Sequence, residues 1–220
     1  MPRITPAAAV AATLVAIGAY TVALQAQDRT EQPGIRELEA NLSDDRAYFN
    51  ARVESDIDDD LLELGRLVAM GGSQSGGSDM ACITCHGAQG RGDGSGAFPR
   101  LTGQSGWYMY KQLVDYASGD RPNDVMGSIA KRLTEREMEA VAAYYSAIDA
   151  PYREAPGRVD ASTLQWGGQL GAVGSAEKGI PACVNCHGPS GTGNPPSVPY
   201  LAGQYAGYMS HQLRLWKRGV

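Results

Sequence analysis

The sequence predicts an all-α protein made of two tandem copies of one small helical domain, with an apolar helix before them. Three observations carry this prediction. A set of motifs occurs twice in the same order along the chain, and apolar residues recur at helical spacing between those motifs. A long uncharged segment precedes the first copy. The length of 220 residues leaves room for two small domains.

Composition narrows the classes of function. Hydrophobic residues make up 43% of the chain and charged residues 20%, which is typical of a folded protein. The 28 glycines indicate many loops and turns. A formal net charge of −5 argues against nucleic acid as a partner, because phosphate binding needs a basic surface.

The N-terminal segment permits two interpretations. Residues 7–26 carry no charge, with Arg3 before them and Asp28 after them. A secretory signal has a basic start, a short apolar core and a small-residue cleavage site, which Ala26 would supply. The length matches the ~20 residues needed to cross a bilayer and favours an uncleaved anchor. We therefore expect an anchor at 1–27 and a polar, acidic spacer at 28–58, with the remainder exported in either case.

The four cysteines identify a cofactor. They form two patterns, each followed at once by a histidine: Cys82, Cys85 and His86, then Cys183, Cys186 and His187. C-x-x-C alone is compatible with a redox disulfide or half a zinc site, but C-x-x-C-H is the signature of c-type haem attachment. The cysteines form thioethers to the porphyrin, and the histidine binds iron from one face. The sequence therefore predicts two covalently bound haem c groups with His86 and His187 as iron ligands.

The repeated motifs place each haem in the same helical layout. L-G-R-L-V-A-M-G-G at 64–72 and G-G-Q-L-G-A-V-G at 167–174 come before the cysteines. F-P-R-L-T-G-Q at 98–104 and V-P-Y-L-A-G-Q at 198–204 come after them. Each unit is expected to have a leading helix, a Gly-rich loop and an amphipathic helix, which in the first copy contains Tyr108, Gln112, Leu113 and Tyr116.

Only the first copy has a last helix, which is expected to begin near Thr134 with Glu137 completing a capping box. These features give a first domain at 59–150, a linker at 151–162 and a second domain at 163–220. Because the second copy lacks the last helix, we expect the natural chain to continue past Val220. A partner protein that completes the fold is the alternative.

The sixth iron ligand separates a carrier from a catalyst, because histidine–methionine ligation closes the iron to substrates. Met126 is predicted for the first haem, since it lies in an expected loop between two helices. Four other methionines compete with it: Met70, Met80, Met109 and Met138. In the second copy Met209 corresponds to Met109 and fits a helix core, while His211 would give bis-histidine ligation. The sixth ligand of the second iron stays open.

These motifs, with the M-x-x-I-A-x-x-L-T string at 126–134, resemble the cytochrome c4 family over roughly residues 60 to 220. The resemblance implies two class-I cytochrome c folds related by pseudo-twofold symmetry, with haems close enough to exchange electrons. It implies histidine–methionine ligation at both irons. The Pro99 and Pro199 carbonyls would orient the ligand histidines, unless these prolines merely punctuate a loop. Arg100 would neutralise a haem propionate, and Tyr200 replaces it in the second copy.

The expected function is electron transfer rather than catalysis. The resemblance implies a periplasmic carrier between a cytochrome bc complex and a terminal oxidase, held at the inner membrane by its N-terminal helix, with no small-molecule substrate. One alternative is the cytochrome subunit of a periplasmic dehydrogenase. Another is a two-haem enzyme such as a thiosulfate dehydrogenase or a peroxidase, which needs an unusual or vacant axial position. The haem motifs use all four cysteines, which excludes a cysteine axial ligand.

Overall fold

Helices dominate the ranges that the computed structural model describes, which are residues 57–73, 80–93, 95–148 and 159–220. In place of strands, these ranges contain isolated bridges between Ser175 and Ile180 and between Asn194 and Val198. No helix in them is long and apolar enough to cross a membrane. The predicted anchor at 1–27, nearly all of the predicted spacer and most of the linker lie outside the described residues.

The helices follow the order expected from the repeat. The first copy contains α1 (Asp59–Gly71), α2 (Cys82–His86), α3 (Gly106–Ser118), α4 (Asp124–Ala130) and α5 (Glu135–Ser146). The second contains α6 (Ala161–Ala172), α7 (Val184–His187), a 3₁₀ turn at Pro189–Gly191 and α8 (Ala206–Lys217). Helix α6 begins inside the range predicted as linker, because the Asp160 carboxylate caps it by accepting from the Thr163 amide.

Helices α1 and α5 form the core of the first copy. Asp58 caps α1, whose buried side follows helical spacing through Leu61, Gly65, Val68 and Ala69. Thr134 caps α5, and with Glu137 it forms the predicted capping box. Gly65 allows the closest approach of the two helices, since a Cβ there would overlap the Ala140 carbonyl. The predictions of a helix near 60–70 and of a capped last helix are confirmed.

The segment expected to be a loop around Met126 is a short helix. The Asn123 side chain accepts a hydrogen bond of 2.8 Å from the Met126 amide and so starts α4. Met126 therefore sits in the first turn of a helix and is half-buried. The loop prediction was wrong because Asn123 was interpreted as a loop residue rather than as the N-cap of a helix.

The two copies pack directly on one another. The Tyr205 hydroxyl donates a hydrogen bond of 2.9 Å to the Arg91 carbonyl across this contact. Gly96 has a φ of +76°, and a Cβ there would lie 2.9 Å from the Gly207 Cα and 2.7 Å from the Tyr208 amide nitrogen. Backbone thus meets backbone at Gly96, which a larger residue would prevent.

Candidate haem sites

The first haem motif occupies helix α2, which ends at His86 and is capped by Gly87 with a φ of +77°. His86 is 7% exposed, and Cys82 and Cys85 are partly buried free thiols. Burial raises the pKa of the Cys82 thiol to about 11, so this sulfur is protonated at neutral pH. Burial also lowers the pKa of His86. The imidazole is therefore held neutral, the state in which histidine binds metals.

Each motif histidine is oriented by the carbonyl of a proline. His86 Nδ1 lies 2.9 Å from the Pro99 oxygen, and His187 Nδ1 lies 2.8 Å from the Pro199 oxygen. A carbonyl oxygen only accepts hydrogen bonds, so Nδ1 carries the hydrogen in both rings and Nε2 keeps its lone pair. The arrangement fixes the tautomer and leaves one nitrogen for a metal. The hydrogen bonds expected of Pro99 and Pro199 are present, while the ligand role of the histidines stays a prediction.

The second motif is far more open than the first. Cys183 and Cys186 are exposed, and His187 is half-buried. None of the residues of α6, α7 or α8 is buried. Large apolar side chains on these helices face outward, with Leu213 and Trp216 both 63% exposed. The described part of the second copy thus presents apolar surface that protein atoms do not cover.

The methionines that competed as a sixth ligand have different surroundings. Met109 and Met138 are buried in helices, where they pack in the core of the first copy. Met70 is exposed on α1, and its sulfur accepts from Arg66 Nη1 at 3.2 Å. Met126 is half-buried on α4. Its role as an iron ligand stays a prediction.

Arg100 lies at the contact between the two copies. Its side chain is buried, with the guanidinium carbon 5.6 Å from the centre of the Tyr205 ring. Its backbone is held by Gln204: the Arg100 amide donates to Oε1 at 3.0 Å, and its carbonyl accepts from Nε2 at 3.1 Å. The neutralisation of a propionate by Arg100 stays a prediction.

Sequence reasoning missed this role of Gln204 and the matching role of Gln104. Gln104 Oε1 accepts from the Tyr200 amide at 3.2 Å, and Nε2 donates to the Tyr200 carbonyl at 3.1 Å. The two glutamines are the last residues of the repeated P-x-L-x-G-Q motif. Such reciprocal contacts are what a twofold relation between the copies produces. The repetition of the motif marks both glutamines but does not show which groups they bond.

The residues of both motifs have the chemistry that haem c requires. Each site offers two thiols that form no disulfide and can form two thioether bonds. Each also offers one imidazole whose Nε2 can bind iron. The uncovered apolar surface in the second copy also suits a large apolar macrocycle. The donor set therefore fits a covalently attached haem at each motif.

Comparison with known proteins places these sites in a family. The family model described as Cytochrome c matches residues 77–147. A cytochrome c4 of Stutzerimonas stutzeri is 32% identical over 166 residues, which cover 70% of this chain and 77% of that protein.

Two further similar proteins, a relative and a solved structure, carry thiosulfate dehydrogenase in their names. The thiosulfate dehydrogenase electron acceptor of Stutzerimonas stutzeri (strain A1501) is 47% identical over 141 residues, or 64% of this chain and 65% of that protein. This chain thus spans just under two thirds of that relative. The structure of thiosulfate dehydrogenase (TsdBA) from Marichromatium purpuratum matches with a TM-score of 0.63 and 39% identity, covering 72% of this chain and 33% of that one. From these matches and the geometry of its two motifs, the chain belongs to the cytochrome c4 family and carries two covalently bound haem c groups.

Proposed function

We propose that this chain is a two-haem electron carrier that accepts electrons from a thiosulfate dehydrogenase on the periplasmic side of the membrane. The observation that carries the proposal is the 47% identity to the thiosulfate dehydrogenase electron acceptor. A structural match to a thiosulfate dehydrogenase supports the same pairing. The proposal adopts the dehydrogenase-linked alternative from the sequence and makes the chain the acceptor rather than the enzyme.

Each half of the chain has a defined task in this proposal. In the first domain, at 59–150, Cys82 and Cys85 hold the haem and His86 binds its iron. The second domain, at 163–220, does the same with the second motif. Bound haem supplies a one-electron iron couple. The protein orients each ligand ring through a proline carbonyl.

The first haem is proposed to be closed by Met126. A thioether ligand opposite histidine raises the reduction potential and leaves the iron no site for a substrate. This ligation suits a carrier rather than a catalyst. An enzyme would need an open or unusual sixth position at one iron. Only the second haem, whose sixth ligand is unassigned, could offer such a position.

Onward transfer is proposed to follow the family resemblance. A terminal oxidase is the proposed acceptor and a cytochrome bc complex a second proposed donor, as the resemblance to the cytochrome c4 family implies. The net charge of −5 favours docking on basic surfaces of such partners. Attachment to the membrane through residues 1–27 belongs to the same proposal.

The test is reduction of the oxidised two-haem protein by thiosulfate, followed by absorption in a stopped-flow instrument. We expect rapid reduction of both haems only when a catalytic amount of a purified thiosulfate dehydrogenase is present. Equally rapid reduction without the dehydrogenase would make this chain the enzyme. If the dehydrogenase has no effect while a cytochrome bc complex reduces the protein, the thiosulfate assignment fails and the respiratory carrier remains.

A further inference from the structure

Two peptide groups link the copies to the proposed iron ligands. The carbonyl of the Pro99–Arg100 peptide accepts from His86 Nδ1 at 2.9 Å, and the amide of the same peptide donates to Gln204 Oε1 at 3.0 Å. Gln204 belongs to the other copy. One peptide group is therefore hydrogen-bonded on both sides, to a ligand histidine and to a side chain of the opposite domain.

An equivalent series of hydrogen bonds connects the histidine of the second copy to a glutamine of the first. The Pro199–Tyr200 peptide accepts from His187 Nδ1 at 2.8 Å, and its amide donates to Gln104 Oε1 at 3.2 Å. Each haem motif is thus connected to a glutamine of the domain that carries the other motif.

Each glutamine amide is fixed in the orientation that this connection needs. Gln204 Oε1 also accepts from the Tyr205 amide at 3.0 Å, and Gln104 Oε1 accepts from the Ser105 amide at 3.0 Å. Gln204 Nε2 donates to the Arg100 carbonyl, and Gln104 Nε2 donates to the Tyr200 carbonyl. A flipped amide would place NH₂ against two N–H donors, so the oxygen must face the peptide.

Hydrogen bonds in series polarise one another. Donation by the peptide N–H makes the carbonyl of that peptide a better acceptor, which strengthens the bond from histidine Nδ1. A histidine with a stronger Nδ1–H bond is a more basic ligand and stabilises the oxidised iron. We propose that Gln204 is a positioning residue that lowers the reduction potential of the haem bound by His86, and that Gln104 does the same for the haem bound by His187. The inference rests on the proposed ligand roles of these histidines.

The test compares Gln204→Met and Gln104→Met in the holoprotein. Methionine keeps length and volume but removes the oxygen acceptor. The first readout is the Nδ1–H proton signal of each ligand histidine, measured by NMR on the reduced protein labelled with ¹⁵N-histidine. The second is the potential of each haem from spectroelectrochemistry. Gln112→Met is the matched control, because Gln112 bonds neither peptide but accepts from Arg121, whose guanidinium also donates to Tyr208 and Gln212 of the other copy at the same interface.

Each substitution should affect the haem of the opposite copy. Gln204→Met should move the His86 signal and raise the potential of its haem, while His187 stays unchanged; Gln104→Met should do the opposite. We expect the distribution of one electron between the haems to change roughly two- to fivefold, since cooperative polarisation alters a hydrogen bond by about a tenth to a third. Gln204→Glu retains an oxygen acceptor, so the His86 Nδ1–H signal should stay near its native position.

Two results would overturn the inference. One is that Gln204→Met leaves the His86 signal and potential unchanged. The other is that Gln204→Met shifts the potentials of both haems equally, which is the result expected of Gln112→Met if only packing mattered. Failure of the ligand assignment is recognised separately: His86→Ala would then keep the native low-spin spectrum, whatever the glutamine variants do.

Discussion

Arg121 and Tyr208 come from different copies of the repeat, and Arg121 Nη2 donates a hydrogen bond of 3.0 Å to the Tyr208 hydroxyl. The same guanidinium donates to Gln112 at 2.7 Å and to Gln212 at 2.8 Å, which are equivalent residues of the two copies. Its carbon lies 4.7 Å from the centre of the Tyr116 ring. A planar group with five donors is suited to such a site, where one residue bonds corresponding groups of both copies.

Replacing Arg121 should therefore weaken the contact between the copies. For Arg121→Ala we expect a loss of about 2 kcal/mol in the free energy of unfolding, because half-buried bonds to a charged donor are each worth roughly 1.5–3 kcal/mol and are not additive. Urea unfolding of the holoprotein, followed by circular dichroism, measures the change. Arg66→Ala is the control, since Arg66 pairs with Glu63 on an exposed surface and should matter little. Equal losses in the two variants would contradict the role given to Arg121.

The crossing of α1 and α5 gives a second prediction, at Gly65. A Cβ at this position would overlap the Ala140 carbonyl and lie 2.7 Å from the Tyr144 Cβ. Gly65→Ala should destabilise the first copy by about 1–3 kcal/mol, because the helices must separate to accommodate the methyl group. Thermal unfolding of the holoprotein tests it.

Gly71, the last residue of α1, provides the matched control, because a Cβ there meets nothing within 4 Å. Gly71→Ala should leave stability unchanged or raise it by about 0.4–1 kcal/mol through the unfolded chain. If Gly65→Ala proved as harmless as Gly71→Ala, the close crossing would be wrong.

The capping box of α5 gives a third prediction. The Glu137 amide donates to Thr134 Oγ1 at 3.2 Å, and the Thr134 amide donates to Glu137 Oε2 at 2.8 Å. Thr134→Ala should cost about 1–2 kcal/mol, since one cap bond is lost and buried Glu137 loses a partner. The Glu137→Met variant, which removes the acceptor, and the double variant complete a cycle measured by urea unfolding. A coupling of zero between the two positions would show that they do not act together.

Local signals in the sequence predicted where helices begin and end better than they predicted which residues of the two copies are in contact. Thr134 and Glu137 lie three residues apart, so the capping box could be read directly from the chain. Met126 was misplaced in a loop because Asn123 was not recognised as a helix cap. The partners of Gln104 and Gln204 could not be predicted, because each bonds backbone of the opposite copy and the pattern of the motif does not show which surfaces meet.

Alkaline pH gives a fourth prediction, at Tyr110. Its hydroxyl donates to Glu135 Oε1 at 2.9 Å, and burial together with this carboxylate raises the pKa of Tyr110 to about 12. The folded state therefore favours the protonated phenol, so its contribution to stability is complete below about pH 10 and is lost as the pH rises through 12. Tyr110→Phe should reduce the fall in unfolding free energy across that interval, as measured by urea titrations at each pH. An unchanged pH profile would exclude Tyr110 as a source of the alkaline loss.

The proposed ligation of the first haem gives the last prediction. Met126→Leu keeps an apolar side chain that helices tolerate but removes the thioether. If that sulfur binds iron, the variant should lose the methionine–iron charge-transfer band of the first haem, and the potential of this haem should fall because a histidine–methionine pair raises it. Met70→Leu is the control, because Met70 is 46% exposed and its sulfur faces Arg66 on the surface of α1. Retention of the band in Met126→Leu, with its loss in a Met109 or Met138 variant, would move the ligand to one of those helices and require α3 or α5 to rearrange around the haem.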